Sequence, residues 1–169
     1  MKKRLSTILL ILIFLIGLSL LLYPTVSDYW NSFHQSRAIS TYTEQVEQID
    51  TGEQEAALAR ARAYNAELWN KSNRYEFSEA EEEEYENLLN ISDTSMIGYI
   101  EIPSINCRLP IYHGMSQEVL QTGVGHMKGS SLPVGGLGTH SVLTAHRGLP
   151  SATLFTNLDK MEEGDYFVL

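Results

Sequence analysis

The chain has 169 residues, and the first twenty or so cannot belong to a soluble core. About 146 residues, Pro24 to Leu169, remain for anything globular, which is room for one domain and not two. A hydrophobic fraction of 43% and a charged fraction of 20% exclude a wholly disordered, collagen-like or disulfide-scaffold chain. The net charge is −9, or −12 once Lys2, Lys3 and Arg4 ahead of the apolar segment are set apart, which argues against nucleic acid or anionic lipid held by a broad surface field.

Leu5 to Tyr23 (LSTILLILIFLIGLSLLLY) is uncharged for nineteen residues, about 28 Å as a helix, the thickness of a bilayer core. A cleaved signal peptide is the competing reading. Its apolar region is usually about 7 to 15 residues and ends at an A-x-A-like site, and this segment is longer and has no such site. An uncleaved, single-pass anchor is therefore expected. Lys2, Lys3 and Arg4 keep the N-terminus cytoplasmic and send the rest outside the cell.

Trp30, Phe33, Ile39, Tyr42, Val46 and Ile49 recur at helical spacing, with Thr51 and Gly52 as the break. A second helix is predicted from near Glu53, with the stripe Ala57, Ala61, Tyr64 and Leu68, and the two helices pack as an antiparallel hairpin near the membrane. After an interruption at Asn70 to Arg74, Ser78 and Glu81 have the form of a capping box. The acidic run Glu79 to Glu86 then lies on a short helix that buries Tyr85, Leu88 and Leu89 and turns its carboxylates to solvent.

From Ser95 the pattern becomes extended. Ile97 to Ile102 and Ile105 to Tyr112 read as strands divided by Pro103, with Ile105, Cys107, Leu109 and Ile111 on one face. Glycines then mark turns around a short helix starting at Ser116. Thr139 to His146 is a third extended run, and Tyr166 to Leu169 begins a strand that has no end, so a truncated protein is expected.

Cys107 is the only cysteine, which excludes an intramolecular disulfide and a Cys-rich metal site. Between Ile105 and Leu109, with Arg108 directed to the other face, it reads as a core residue and not as a nucleophile. Four histidines, His113, His126, His140 and His146, fall within 34 positions. His140 and His146 would stand roughly 20 Å apart on one strand, too far to share an ion. His113 and His126 lie beside glycines, where loop hydrogen bonding accounts for them. His146 ends an apolar run, and Arg147, Gly148, Leu149 and Pro150 turn the chain away, leaving the imidazole at a strand terminus facing a cleft. Strand-end histidines also serve purely structural roles, and the residues by themselves leave both readings open.

The stretches GYIEIPSIN (98–106), LPIYHG (109–114), GVGHMKGSSLPVGG (123–136) and THSVLTAHRGLPSATLFTNLDKMEEGDYFVL (139–169) resemble the catalytic domain of class C, pilin-polymerising sortases. The resemblance covers about 73 residues almost continuously, and the helices behind a membrane anchor share it. It implies that His146 is the catalytic histidine, acting with a cysteine and an arginine on later strands, neither of which is present here. Cys107 precedes the histidine at a position the family usually fills with an apolar residue. The implied reaction is attack of a thiolate on the Thr-Gly amide of an LPXTG-type sorting signal and resolution of the thioacyl enzyme by an amine on a pilin or the cell wall. The family's Asp-Pro-aromatic lid motif has no counterpart, since the corresponding region, Asn70 to Ser78, offers Arg74, Tyr75 and Phe77.

The expectation is thus an α+β protein in three parts: a membrane anchor with a short cytoplasmic N-terminus (1–23), a helical region (24–94), and an incomplete sortase-like β-barrel catalytic domain (95–169). The implied partners are LPXTG-type pilin or surface-protein substrates and an amine acceptor. No metal, cofactor or nucleic acid is assigned, and the chain alone is expected to be inactive. A non-catalytic membrane-tethered ectodomain that binds a cell-surface partner is the rival reading.

Overall fold

The uncharged segment and the stripe that follows it form one helix. In the computed structural model, which describes residues 2–91 and 94–169, α1 runs unbroken over Lys2–Gln48. Pro24 lies inside it and removes only one rung of the ladder, so no break in the helix marks the boundary expected at Tyr23. The N-terminal part of α1 is long and apolar enough to cross a membrane, and none of it is buried in protein. The end of the expected helical region, at Ser92 and Asp93, lies outside the described residues, as does Met1.

Beyond the apolar segment α1 is two-faced. Ile39 is fully buried, and Tyr42, Val46 and Ile49 are half-buried, on the face that packs against strands β1 (Met96–Ile102) and β2 (Cys107–His113). Trp30 and Phe33 do not belong to that face and are exposed. The second helix, α2 (Thr51–Asn70), starts slightly earlier than predicted, because Asp50 caps it and its Oδ1 accepts from the Gly52 amide at 2.6 Å. α1 and α2 meet at their shared corner, where the Gln54 side-chain amide donates to the carbonyls of Val46 and Ile49.

The predicted stripe of α2 is present, with Ala61 and Leu68 buried and Ala57 and Tyr64 half-buried. A polar residue shares that face. Asn65 is buried, donates from Nδ2 to the Leu132 carbonyl at 3.0 Å, and accepts from the Leu132 amide at 2.7 Å. It thus satisfies both backbone groups of a residue 67 positions away and fixes α2 to the loop that leads to His146. α3 (Glu79–Asn87) carries the capping box as read, with the Ser78 amide donating to Glu81 Oε2 at 2.7 Å and Tyr85 buried.

The sheet has four strands in the order β1-β2-β3-β4, where β3 is Val124–His126 and β4 is Leu143–Thr144. β1 and β2 are antiparallel, β2 and β3 parallel, and β3 and β4 antiparallel. The parallel crossover contains the short helix α4 (Gln117–Thr122), which Ser116 caps as its position in the sequence suggests. Ile97, Ile100, Ile102, Cys107, Leu109, Ile111 and Val124 form the core with Tyr85, Leu132 and Phe155.

The four strands form a mixed, open sheet. Two expectations change here. The run Thr139 to His146 is regular strand only at Leu143–Thr144, because the residues before it pair irregularly with a bend: the amides of His140 and Val142 donate to the hydroxyls of Ser131 and Ser130. Val168 makes a single antiparallel bridge to Glu101, with bonds of 2.9 and 2.8 Å, in place of a strand at 166–169.

Asn65→Leu is close in shape but leaves the amide of Leu132 buried and unpaired, while its carbonyl keeps the Val134 amide. It should lower stability by about 1 to 3 kcal/mol in urea unfolding of the detergent-solubilised protein, whereas Glu67→Gln on the exposed side of the same helix should leave the midpoint unchanged.

Candidate active site

His146 leaves β4 and enters a turn that the chain folds back on at several points. Its carbonyl accepts from the Phe155 amide at 3.1 Å, the Gly148 amide donates to Thr156 Oγ1 at 3.0 Å, and Arg147 pairs with Asp159 at 2.6 Å. Gly148 has φ of +73°, a left-handed conformation that suits glycine and sends the chain back toward Pro150. The ring of His146 is half-buried. Its Nε2 is shielded from solvent without a hydrogen-bond partner among the described residues.

The segment that supports this turn is held from outside the sheet by α1. Asp28 Oδ1 accepts from the Thr153 amide at 2.6 Å and from Thr153 Oγ1 at 2.8 Å, and Asn31 donates from Nδ2 to the Ser151 carbonyl at 2.7 Å. Gln35 makes a similar bond to the Thr122 carbonyl at 3.0 Å. Sequence reasoning missed Asp28 and Asn31. Their signal was present as a polar stripe at 28, 31 and 35, but its partner could not be read from periodicity.

Cys107 is buried on the core face, where burial pushes its thiol up to about 11. A thiol so placed stays protonated at neutral pH and is a poor nucleophile. It borders a cleft of about 370 Å³ between α1, the Ile105–Asn106 turn and residues 153–157, which His146 does not line.

The other histidines behave differently from the sequence reading. His113 and His126 are not loop residues held by loop hydrogen bonds but buried neighbours, paired in register across the parallel strands β2 and β3. Both pack on Tyr85, His113 edge-on at 4.7 Å between ring centroids. The Tyr85 hydroxyl accepts from the Gly114 amide at 3.1 Å and lies 2.9 Å from His126 Nδ1. The Ser131 carbonyl, 2.9 Å from Nε2, can only accept, so that nitrogen carries the proton and Nδ1 accepts from the Tyr85 hydroxyl. His140 lies apart, on the bend before β4. Among the described residues no group of three or more His, Cys, Asp or Glu side chains could hold a metal ion.

Residues 100–169 match the Sortase domain family. Solved structures that the chain is similar to include sortase C1 of Streptococcus agalactiae, at 44% identity and a TM-score of 0.74 over 78% of this chain and 68% of that one. Streptococcus pneumoniae sortase C is 45% identical with a TM-score of 0.66, covering 78% and 66%, and Clostridium perfringens sortase C, solved with the C-terminal cell wall sorting motif, is 42% identical with a TM-score of 0.65, covering 78% and 67%. The chain belongs to the sortase family, and its structural neighbours are class C sortases. Sortase D of Bacillus subtilis is 40% identical over 68 residues, a match that spans 40% of this chain and 31% of that protein.

Burial lowers the pKa of both core histidines. For His113 it reaches about 4, with nearby His126 adding to the effect and the carbonyls of Leu88, Ser95 and Tyr85 opposing it. A histidine that resists protonation only when folded binds fewer protons than the unfolded chain between pH 6.5 and 4, so its contribution to stability is complete above that window and is lost as pH falls through it. Thermal or urea unfolding across this window should show His113→Phe, which keeps the edge contact with Tyr85 and cannot titrate, losing less stability than the parent by as much as about 3 kcal/mol. Equal pH slopes for the two proteins would contradict the assignment.

Proposed function

We propose that this chain is part of a membrane-anchored cysteine transpeptidase of the class C sortase type, which cleaves LPXTG-type sorting signals and joins pilin subunits or surface proteins by amide bonds. In this reading residues 1–23 are the anchor, 24–94 the helical region and 95–169 part of the catalytic β-barrel domain, which stands outside the cell. The observation that carries it is His146, whose turn is pinned at Phe155, Thr156 and Asp159 while Nε2 has no partner among the described residues. A general acid-base needs a well-placed backbone and a nitrogen that can exchange a proton.

The chemistry proceeds in two proton-balanced halves. A thiolate adds to the threonine carbonyl of the Thr-Gly bond, the C–N bond breaks, and His146 gives its proton to the departing glycine amine, leaving a thioester. The incoming amine then adds to the thioester carbonyl, loses its proton to His146, and expels the thiolate as the amide forms. An arginine side chain would stabilise the oxyanion in both halves. Neither the thiolate nor that arginine is assigned to these 169 residues, since the one cysteine, Cys107, is buried and protonated.

In the full-length enzyme, His146→Ala should lower transpeptidation by about 10² to 10⁴ with the fold intact. Cys107→Ala should leave turnover near normal and cost roughly 1 kcal/mol of stability. The 169-residue chain should release nothing from an LPXTG peptide, and His146-dependent cleavage by it would overturn the dismissal of Cys107. Protease added outside intact cells should digest the protein beyond Tyr23; digestion only after permeabilisation would reverse the assigned orientation.

A further inference from the structure

The part of α1 just past the apolar segment has two faces with opposite chemistry. Asp28, Asn31 and Gln35 lie on one and are engaged with Thr153, Ser151 and Thr122. On the other side of the helix, Val26, Tyr29, Trp30 and Phe33 follow at steps of three, one and three and form an apolar stripe, with the His34 ring packed at its edge against Trp30 and Phe33. All four are 55 to 74% exposed, although the protein body is packed against the same turns of helix. The stripe is continuous with Leu22 and Tyr23 of the apolar segment, which are also exposed, and Arg37 follows on the same face one turn beyond Phe33.

We propose that this stripe is a second membrane contact, seated in the lipid headgroup layer of the outer leaflet. The proposal rests on the reading of α1 as a membrane anchor. Leu5 to Ser27 carry no charge, and Asp28 is the first. If about 30 Å of hydrocarbon is filled from Leu5, it ends near Pro24 at 1.5 Å per residue. Tyr29 and Trp30 then stand about 7 to 9 Å further along the axis, and Phe33 about 13 Å. The headgroup layer is roughly 5 to 8 Å thick on each side. Two effects bring the stripe into it: helical side chains lean back toward the helix N-terminus, here toward the lipid, and spanning helices tilt by about 20° on average and up to about 40°. A tilt toward the stripe lowers all four side chains together and lifts Asp28 and Asn31.

Composition favours lipid as the occupant. Tyrosine and tryptophan prefer this layer, where the ring is apolar and the Nε1–H or hydroxyl can bond to headgroups or water. Apart from the His34 ring at its edge and the Tyr29 phenol, the stripe carries no ionisable side chain until Arg37, so zwitterionic lipid suffices and the acidic body is no obstacle. The consequence reaches the site. Since the opposite face of the same turns holds Ser151 and Thr153, the contact would set the tilt of α1 and keep the His146 turn at a fixed height close to the bilayer. A sorting signal lying near its own membrane segment can be met there.

The test uses the full-length protein in phosphatidylcholine vesicles whose acyl chains carry bromine near the headgroup or near the methyl end. Subtracting the emission of Trp30→Phe from that of the parent isolates Trp30, and Trp69→Phe does the same for Trp69, which is exposed on α2. Trp30 should lose most of its emission to the shallow bromine, less to the deep one, and little to aqueous acrylamide, whereas Trp69 should respond to acrylamide alone. Trp30 quenched by acrylamide and not by bromine would place the stripe in water. Trp30 protected from both would place it against protein, a partner or a second copy. Either result overturns the proposal while leaving the anchor intact, provided the protein floats with the vesicles. Failure to float would overturn the anchor and this contact together.

Discussion

The body of this protein depends on a single buried hydroxyl. Tyr85 comes from a short, strongly acidic helix that has little apolar surface of its own, and it is almost completely buried beneath the sheet. Burial of a phenol is tolerable only when its oxygen is satisfied, and here the Gly114 amide and His126 Nδ1 do so. These bonds tie α3 to the ends of β2 and β3, where burial lowers the pKa of both histidines. Tyr64 and Phe77 pack on the same ring, so α2 and the segment after it are set by Tyr85 as well. The ionised phenol is disfavoured by burial first, then by Tyr64 and Glu86, with the Gly114 amide opposing.

From that centre, order passes to the candidate site through two backbone segments. His126 Nε2–H fixes the Ser131 carbonyl, and Ser130 and Ser131 in turn receive the amides of Val142 and His140, which lead into β4 and His146. Asn65 fixes Leu132 from the side of α2. The turn after His146 is then closed from its far side by Phe155, Thr156 and Asp159, and the segment behind it is held by Asp28 and Asn31. The backbone that carries His146 is therefore positioned from two directions, one originating in the core and one in the helix that carries the apolar segment. Positioning of that kind is what an acid-base residue needs, because proton transfer requires the ring to be in place before the reacting groups arrive.

Much of this was determined locally and can be read in the amino-acid order. Nineteen uncharged residues behind three basic ones define a candidate span by length alone. Ser78 and Glu81 start α3 because their bonds close within four residues, and Cys107 is buried because alternation leaves it no other face. The family was legible too, since the stretches around GYIEIP, LPIYHG and HRGLP are long enough to be specific.

What only the tertiary structure decided are the choices that need a distant partner. Periodicity showed that Trp30, Phe33, Ile39 and Tyr42 belong to a helix, but one face was taken by the sheet and by Ser151 and Thr153, which left Trp30 and Phe33 outside. Nothing in the local pattern singles out Asn65, whose bonds both come from Leu132, and His126 looked like a loop residue because three residues of β3 among glycines carry no strand signal of their own. The run before His146 had strand composition, yet the hydroxyls of Ser130 and Ser131 captured its amides and shortened β4 to two residues. In each case the sequence sets what a group needs, and the fold decides which remote atom supplies it.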